Sequence, residues 1–188
     1  MTLSIFSRYT LSLLSIGLLL LSQTACTATQ LPPYEATYTT KLRGIKIKGL
    51  RKFEEIEPDT YKLSWHAKAL WMRLNEWSTF KVIDEQVIPL SYHYTRKGLG
   101  TDRPIHVTFD WEAMKVYASK GKKDYSFDLE PNTLDKLSFQ VQMQLDLLQD
   151  QQLKAAHYRI ANYNGMRNYQ FNYSKNDTID TELGQQNT

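Results

Sequence analysis

A single cysteine, Cys26, stands among the 188 residues. An internal disulfide is therefore excluded, and the folded part must hold together through its core alone. Long apolar runs are missing too: the longest extends from Leu11 to Leu21, about half of the roughly 20 residues that a membrane-spanning helix needs. Catalytic signatures are scarce. There is no Gly-x-Ser-x-Gly elbow, and Gly98-Leu99-Gly100 lacks both the third glycine and the following helix of a phosphate-binding loop. The four histidines, His66, His93, His106 and His157, show no metal-ligand spacing, so no metal is expected. Charge of one sign is not in excess either. Lys and Arg total 23 against 20 Asp and Glu, interleaved to a net +3, which is not the balance of a nucleic-acid binder.

What is present begins at the N-terminus. Arg8 precedes the apolar run, and Ser22-Gln23-Thr24-Ala25-Cys26 follows it. One positive charge, a short hydrophobic core and then small residues is the order of an export signal, here residues 1–26. Thr24-Ala25-Cys26 suits lipidation of Cys26, although Gln23 stands where a lipoprotein signal usually has leucine; cleavage after Ala28 fits small-residue rules equally well. The two routes imply a soluble periplasmic protein or an outer-membrane-anchored lipoprotein facing the periplasm, with membrane association only if Cys26 is lipidated. Residues 27–33 read as a short linker, 34–174 as one domain and 175–188 as a polar tail whose last residues are expected to be disordered.

From Tyr34 to Leu129 the dominant period is two, the mark of strands with one wet face. Tyr34, Ala36, Tyr38, Thr40 and Leu42 form one such set, and Tyr61, Leu63, Trp65, Ala67, Ala69 and Trp71 another. Gly44 to Gly49 reads as a turn or tight bend. Further sets run through Trp77 to Ile83, Leu90 to Arg96, Ile105 to Trp111, Met114 to Ala118 and Tyr125 to Leu129. The short connections predict an antiparallel meander. Leu134, Leu137, Val141, Leu145 and Leu148 fall instead at spacings of three and four. They predict one amphipathic helix of about four turns, capped by Asn132 or Thr133, with Asp135 at its positive end. Ala156 to Ile160 and Asn168 to Tyr173 follow as two strands.

One helix covers only part of a sheet of about eight strands, so the expected architecture is mainly β. The antiparallel sheet is expected to curl into a barrel or half-barrel, with the helix on its concave face. The concave face would be aromatic, and the residues expected to line a ligand site there are Trp65, Trp71, Tyr92, Tyr94, Phe109, Trp111, Leu137 and Val141. Large residues flank the small Ala67 and Ala69, leaving space for the helix or for a bound acyl chain. A loop rich in charge, with Arg96, Lys97, Asp102 and Arg103 around two glycines, has two readings. It is a hairpin in which Asp102 pairs with Arg103 or Arg96, or a seat for an acidic group. The cluster Lys41, Arg43, Lys46, Lys48, Arg51 and Lys52 is a solvated hairpin edge, or faces anionic headgroups or another acidic partner.

Several separated stretches resemble the DUF3108 family, exported proteins of Gram-negative bacteria. They are Leu31-Pro32-Pro33-Tyr34-Glu35-Ala36, the segment Tyr94 to Arg103, Phe109-Asp110-Trp111, the helix stretch Leu134-Asp135-Lys136-Leu137-Ser138-Phe139-Gln140, and Asp180-Thr181-Glu182-Leu183-Gly184, with Glu182 where proline is usual. The resemblance implies a curved all-β sheet similar in outline to the half-barrels of lipoprotein carriers, and it supplies no catalytic residue. Such proteins usually continue past the last turn, whereas four residues follow Gly184; either the chain is C-terminally truncated or the family's last strands are dispensable or supplied by a partner, and missing strands would leave an open sheet edge.

The expected function is a non-enzymatic envelope protein without cofactor that binds a lipid or acyl chain. The alternative is an interaction module for other envelope proteins that pairs strands at an open edge. An enzyme would have to use Glu76, His93 or Asp110 as acid or base, and no spacing links them.

Overall fold

The computed structural model describes residues 31–187, except residues 99, 101, 176–177 and 182–183. Residues 1–26, read above as an export signal ending at Cys26, lie outside the described residues.

Eight strands form one antiparallel sheet in simple chain order: β1 (Tyr34–Leu42), β2 (Ile45–Glu57), β3 (Thr60–Ala69), β4 (Met72–Ile83), β5 (Gln86–Lys97), β6 (Ile105–Asp110), β7 (Lys115–Lys120) and β8 (Lys123–Asp128). The meander follows from the connections, since five of the seven are two-residue turns and the others, residues 98–104 and 111–114, are too short for a parallel crossover. Arg43-Gly44 and Asp84-Glu85 both hold positive φ, the conformation that matches the right-handed twist of the flanking strands.

β2 is where the residues read differently from the fold. Gly49 does not bend the chain; it sits mid-strand, opposite Tyr38 on β1 and Ala67 on β3. A Cβ built there would fall 2.5 Å from Cη2 of Trp65. The glycine therefore marks a ring lying on bare backbone, a use of glycine that mimics a turn signal in sequence.

After the sheet the chain forms a short β9 (Thr133–Leu134), the helix α1 (Ser138–Gln149), and the hairpin β10 (Ala155–Asn162) and β11 (Gly165–Asn172). β9 lies parallel to β10, giving a second sheet in the order β11-β10-β9. The helix begins later than its apolar spacing suggests, because Thr133 and Leu134 are taken by β9 and neither Asn132 nor Thr133 caps it. Asp135 does so. Its Oδ1 accepts the N–H groups of Leu137 at 2.8 Å and Ser138 at 3.0 Å, while Ser138 Oγ accepts the N–H of Asp135 at 2.7 Å. This reciprocal arrangement satisfies three backbone donors at the helix start. The polar tail is also more regular than expected, since β12 (Thr178–Thr181) and β13 (Gly184–Asn187) pair antiparallel.

α1 packs on β4 and β5, and β9 packs on β5. The face beneath them carries Phe53, Leu63, Phe80, Tyr92, Val107, Phe109 and Val116, all buried. The other face carries His66, Lys68, Arg73, Lys81, His106, Thr108 and Tyr117, which are exposed. Burial of one face only is what the period-two pattern dictates. Among the described residues β1 pairs only with β2 and β8 only with β7, so the ladder is not closed into a barrel.

Candidate functional site

Two regions of the inner face differ in chemistry. Under the helix the row Phe53, Leu63, Ser78, Tyr92 and Val107, set by cross-strand pairing, is sealed. Burying Ser78 and Asp135 requires that they satisfy each other, and Ser78 Oγ donates to Asp135 Oδ2 at 2.6 Å. Burial pushes the Asp135 carboxyl above the ordinary carboxylate range, against the pull of the hydrogen bonds from Ser78, Ser138 and Leu137. Gln142 pins the helix to the β4–β5 turn: its Oε1 accepts the Val87 N–H at 2.7 Å, and its Nε2 donates to the Glu85 carbonyl at 3.1 Å and to Asp146 Oδ1 at 2.8 Å. Tyr158 donates to the other Asp146 oxygen at 2.6 Å, tying β10 to the same helix.

One step along the strands the inner face opens. The next paired row is Arg51, Trp65, Glu76 and Tyr94, and the one beyond it Tyr38, Gly49, Ala67, Leu74 and Arg96. Trp65, Ala67, Leu74 and Tyr94 are half-buried and Tyr38 is 49% exposed. The Tyr38 and Trp65 rings meet at 5.5 Å, tilted by 56°. Because Gly49 and Ala67 have almost no side chain, the Trp65 ring lies low over β2 and leaves a shallow aromatic floor. Polar groups edge it. Glu76 Oε1 accepts the Tyr92 hydroxyl at 2.5 Å, and burial, followed by the Glu76 charge, pushes the Tyr92 hydroxyl far above its ordinary value. Arg51 donates to Tyr34 Oη at 2.8 Å and to Gln140 Oε1 at 2.7 Å, closing the floor on the helix side. Arg96 stands exposed on the far side, at the end of β5.

The eight aromatic and aliphatic residues expected to line a ligand site are thus divided. Tyr92, Phe109, Leu137 and Val141 are buried in the core between sheet and helix. Trp111 stacks near Phe109 at 6.3 Å and donates its indole N–H to the Pro89 carbonyl at 2.7 Å. Trp65 and Tyr94 share the open floor. Trp71 does not share a strand face with Trp65, because β3 ends at Ala69 and Trp71 lies in the β3–β4 turn, 66% exposed. Tyr38, Gly49 and Leu74 join the floor without having been singled out, and the register of β1, β2 and β4 is the signal that places them there.

The charged loop divides as well. Arg96 and Lys97 finish β5, whereas Asp102 and Arg103 precede β6. Ion pairs join Lys52 with Glu54, Lys115 with Asp128 and Arg159 with Glu130. The expected pairing of Asp102 with Arg103 or Arg96 is not among them. Asp102 and Arg103 instead line a cleft of about 540 Å³ with Lys120, Lys122, Lys123 and Tyr163, where the Lys120 ammonium sits 4.0 Å from the Tyr163 ring centroid. A smaller apolar groove of about 270 Å³ runs between α1 and the β10–β11 hairpin, lined by Met143, Leu147, Leu153 and Phe171.

On the outer face, pairing brings His93 and His106 together, Nδ1 to Nδ1 at 2.7 Å, with His93 stacked on Trp77 at 4.7 Å. Burial, His106 and Lys62 push His93 below the ordinary histidine value. Among the described residues no group of three or more His, Cys, Asp or Glu side chains gathers to hold a metal. The acid–base candidates do not converge: Glu76 is on the inner face, His93 on the outer face, and Asp110 accepts the Ala113 N–H at 2.8 Å in the turn after β6.

An open antiparallel meander with one helix capping half of its apolar face, and an aromatic floor on the other half, defines the class of this protein. The chain belongs to the DUF3108 family, described as a protein of unknown function, whose model matches residues 33–188. No curated protein and no solved structure matches it.

Proposed function

We propose that this is a non-enzymatic protein of the bacterial envelope that binds an amphipathic molecule carrying an acyl chain, with the eight-stranded sheet working as a half-barrel. The observation that carries this reading is the unequal cover of one apolar face. The helix and β9 seal it from Phe53 to Val107, and the rows through Trp65 and Ala67 stay open. An apolar tail lies on Tyr38, Trp65, Ala67 and Leu74, and an acidic head reaches Arg96. Apolar floor with a few polar groups at the rim is the usual make-up of such sites. Export through the N-terminal signal places the protein in the periplasm, free or held by a lipidated Cys26.

Displacement of a fluorescent fatty acid tests the reading. Trp65→Ala is expected to weaken binding by at least about tenfold, a loss of ~1.4 kcal/mol, and Arg96→Gln to weaken a carboxylate ligand more than the matching alcohol. Equal affinity of wild type and Trp65→Ala rejects the floor as the site.

A second reading rests on β1. Its nine residues pair on one side only among the described residues, and an exposed edge of that length is a template for strand addition by another envelope protein. A photo-crosslinker at Glu35 or Thr37 recovers a partner in intact cells if this reading holds, and unlinked chain alone if it does not.

A further inference from the structure

The outer face carries a row of cations that folding sets side by side. Lys48 on β2 lies directly opposite Lys68 on β3, Lys68 opposite Arg73 on β4, and Arg73 opposite Lys97 on β5. All four are exposed. Neighbouring strands are about 4.8 Å apart, so the row spans about 14 Å. None of the four has a carboxylate within ion-pair reach among the described residues. Like charges directly opposite each other across strands destabilise a sheet, so four in line carry a cost that no ion pair among the described residues offsets.

The row stands at the end of the sheet from which the β3–β4 turn projects, and that turn consists of Leu70 and Trp71. They are 60% and 66% exposed, and Leu70 holds φ at 49°, a left-handed conformation that suits glycine far better than leucine. Gly98 packs against this turn, where an added Cβ would meet the Trp71 carbonyl oxygen at 2.5 Å. The tip is therefore braced from behind while its two apolar side chains face water. One turn further across the sheet Lys41 opposes Lys46, extending the positive field on the same end.

We infer that this end of the molecule docks on an anionic phospholipid surface, with Leu70 and Trp71 entering the headgroup layer and Lys48, Lys68, Arg73 and Lys97 lying against the phosphates. Tryptophan is favoured at the membrane interface, and basic residues near it are drawn to anionic leaflets. A two-residue apolar tip is far smaller than the ~800 Å² per partner of a stable protein interface, which favours a lipid surface over an acidic protein. Docking in this way needs no lipid on Cys26. It is independent of the cargo reading, since the row and the tip lie outside the aromatic floor.

The test uses the full chain, so that the N-terminal segment is common to every variant, and measures co-sedimentation with phosphatidylglycerol-containing and pure phosphatidylcholine vesicles at low and high salt. Wild type is expected to prefer the anionic vesicles, and to lose that preference in high salt. A graded series ending in K48Q/K68Q/R73Q/K97Q is expected to lose about fivefold in anionic-vesicle binding per cation removed, with an unchanged or raised melting temperature because repulsion is relieved. Leu70→Ser with Trp71→Ser lowers binding to both vesicles, and Trp71→Phe lowers the quenching of tryptophan fluorescence by brominated phosphatidylglycerol in a Trp65→Phe background. Equal binding to the two vesicle types by wild type overturns the inference, as does a quadruple variant that keeps the preference. Binding to polyglutamate without vesicle preference also overturns it, in favour of an acidic protein partner.

Discussion

Ser78 Oγ donates a 2.6 Å hydrogen bond to Asp135 Oδ2, and both side chains are wholly buried. The bond joins the middle of β4 to the residue that starts the helix, across the face the helix covers. It ties the start of the helix to Ser78, one inner row from Glu76 at the edge of the aromatic floor.

Removing the carboxyl is therefore costly. Asp135→Ala is expected to destabilise the protein by about 2–4 kcal/mol, combining the loss of a helix cap with a buried hydroxyl left unpaired. Asp135→Asn keeps an acceptor for the Leu137 and Ser138 N–H groups and costs less. Ser78→Ala alone costs about 1–3 kcal/mol. Urea unfolding of both single variants and the double variant checks this: coupling near zero in the cycle would mean that the two residues act separately.

Gly49 gives a second prediction. Gly49→Ala places a methyl group 2.5 Å from Cη2 of Trp65, and the ring must lift from β2. A cost of about 1–3 kcal/mol follows from overpacking, accompanied by a red shift of tryptophan emission and weaker fatty-acid binding. An unchanged emission spectrum would show that the ring does not rest on this glycine.

Ala67→Phe fills the floor without touching the sealed core, because Ala67 is half-buried between Gly49 and Leu74. Ligand affinity should fall by about tenfold, ~1.4 kcal/mol, while the urea midpoint stays close to that of wild type. Unfolding of this variant at a lower midpoint, with ligand affinity retained, would place Ala67 in the core rather than in a site.

Stability should also depend on the His93–His106 pair. Burial, His106 and Lys62 lower the His93 value in the folded state, so the unfolded chain binds more protons in the window just below the ordinary histidine value of about 6.5. The contribution of His93 is present above that value and is lost as the pH falls through the folded one. The urea midpoint should drop between neutral and mildly acid pH, and His93→Gln should shrink the drop. A midpoint that rises on acidification contradicts the sign.

Much of this was legible in the chain. The period of two placed the inner residues of β3, β6, β7 and β8 on one face because burial of a single face writes itself into every second position. The helix was visible in Leu137, Val141 and Leu145, yet its start was not, since apolar spacing cannot show that Asp135 is buried and acts as the cap. Gly49 was misleading for a related reason: a glycine beneath a ring and a glycine in a bend look alike until the partner strand is known. The cationic row is invisible in linear order, where Lys48, Lys68, Arg73 and Lys97 stand 5 to 24 residues apart, and becomes a feature only through register. Trp71 needed the exact turn position, since the alternation runs on to it in the sequence while β3 stops two residues earlier at Ala69.

The proposal that the open half of the inner face holds an amphipathic ligand is tested most directly by native mass spectrometry. The chain should be expressed with its own signal, purified gently without detergent, and followed by organic extraction of whatever accompanies it. An adduct in the lipid mass range that is present on wild type and depleted on Trp65→Ala is the predicted result. A clean apo mass for wild type, with no lipid in the extract, would contradict it and shift the weight to strand pairing at β1.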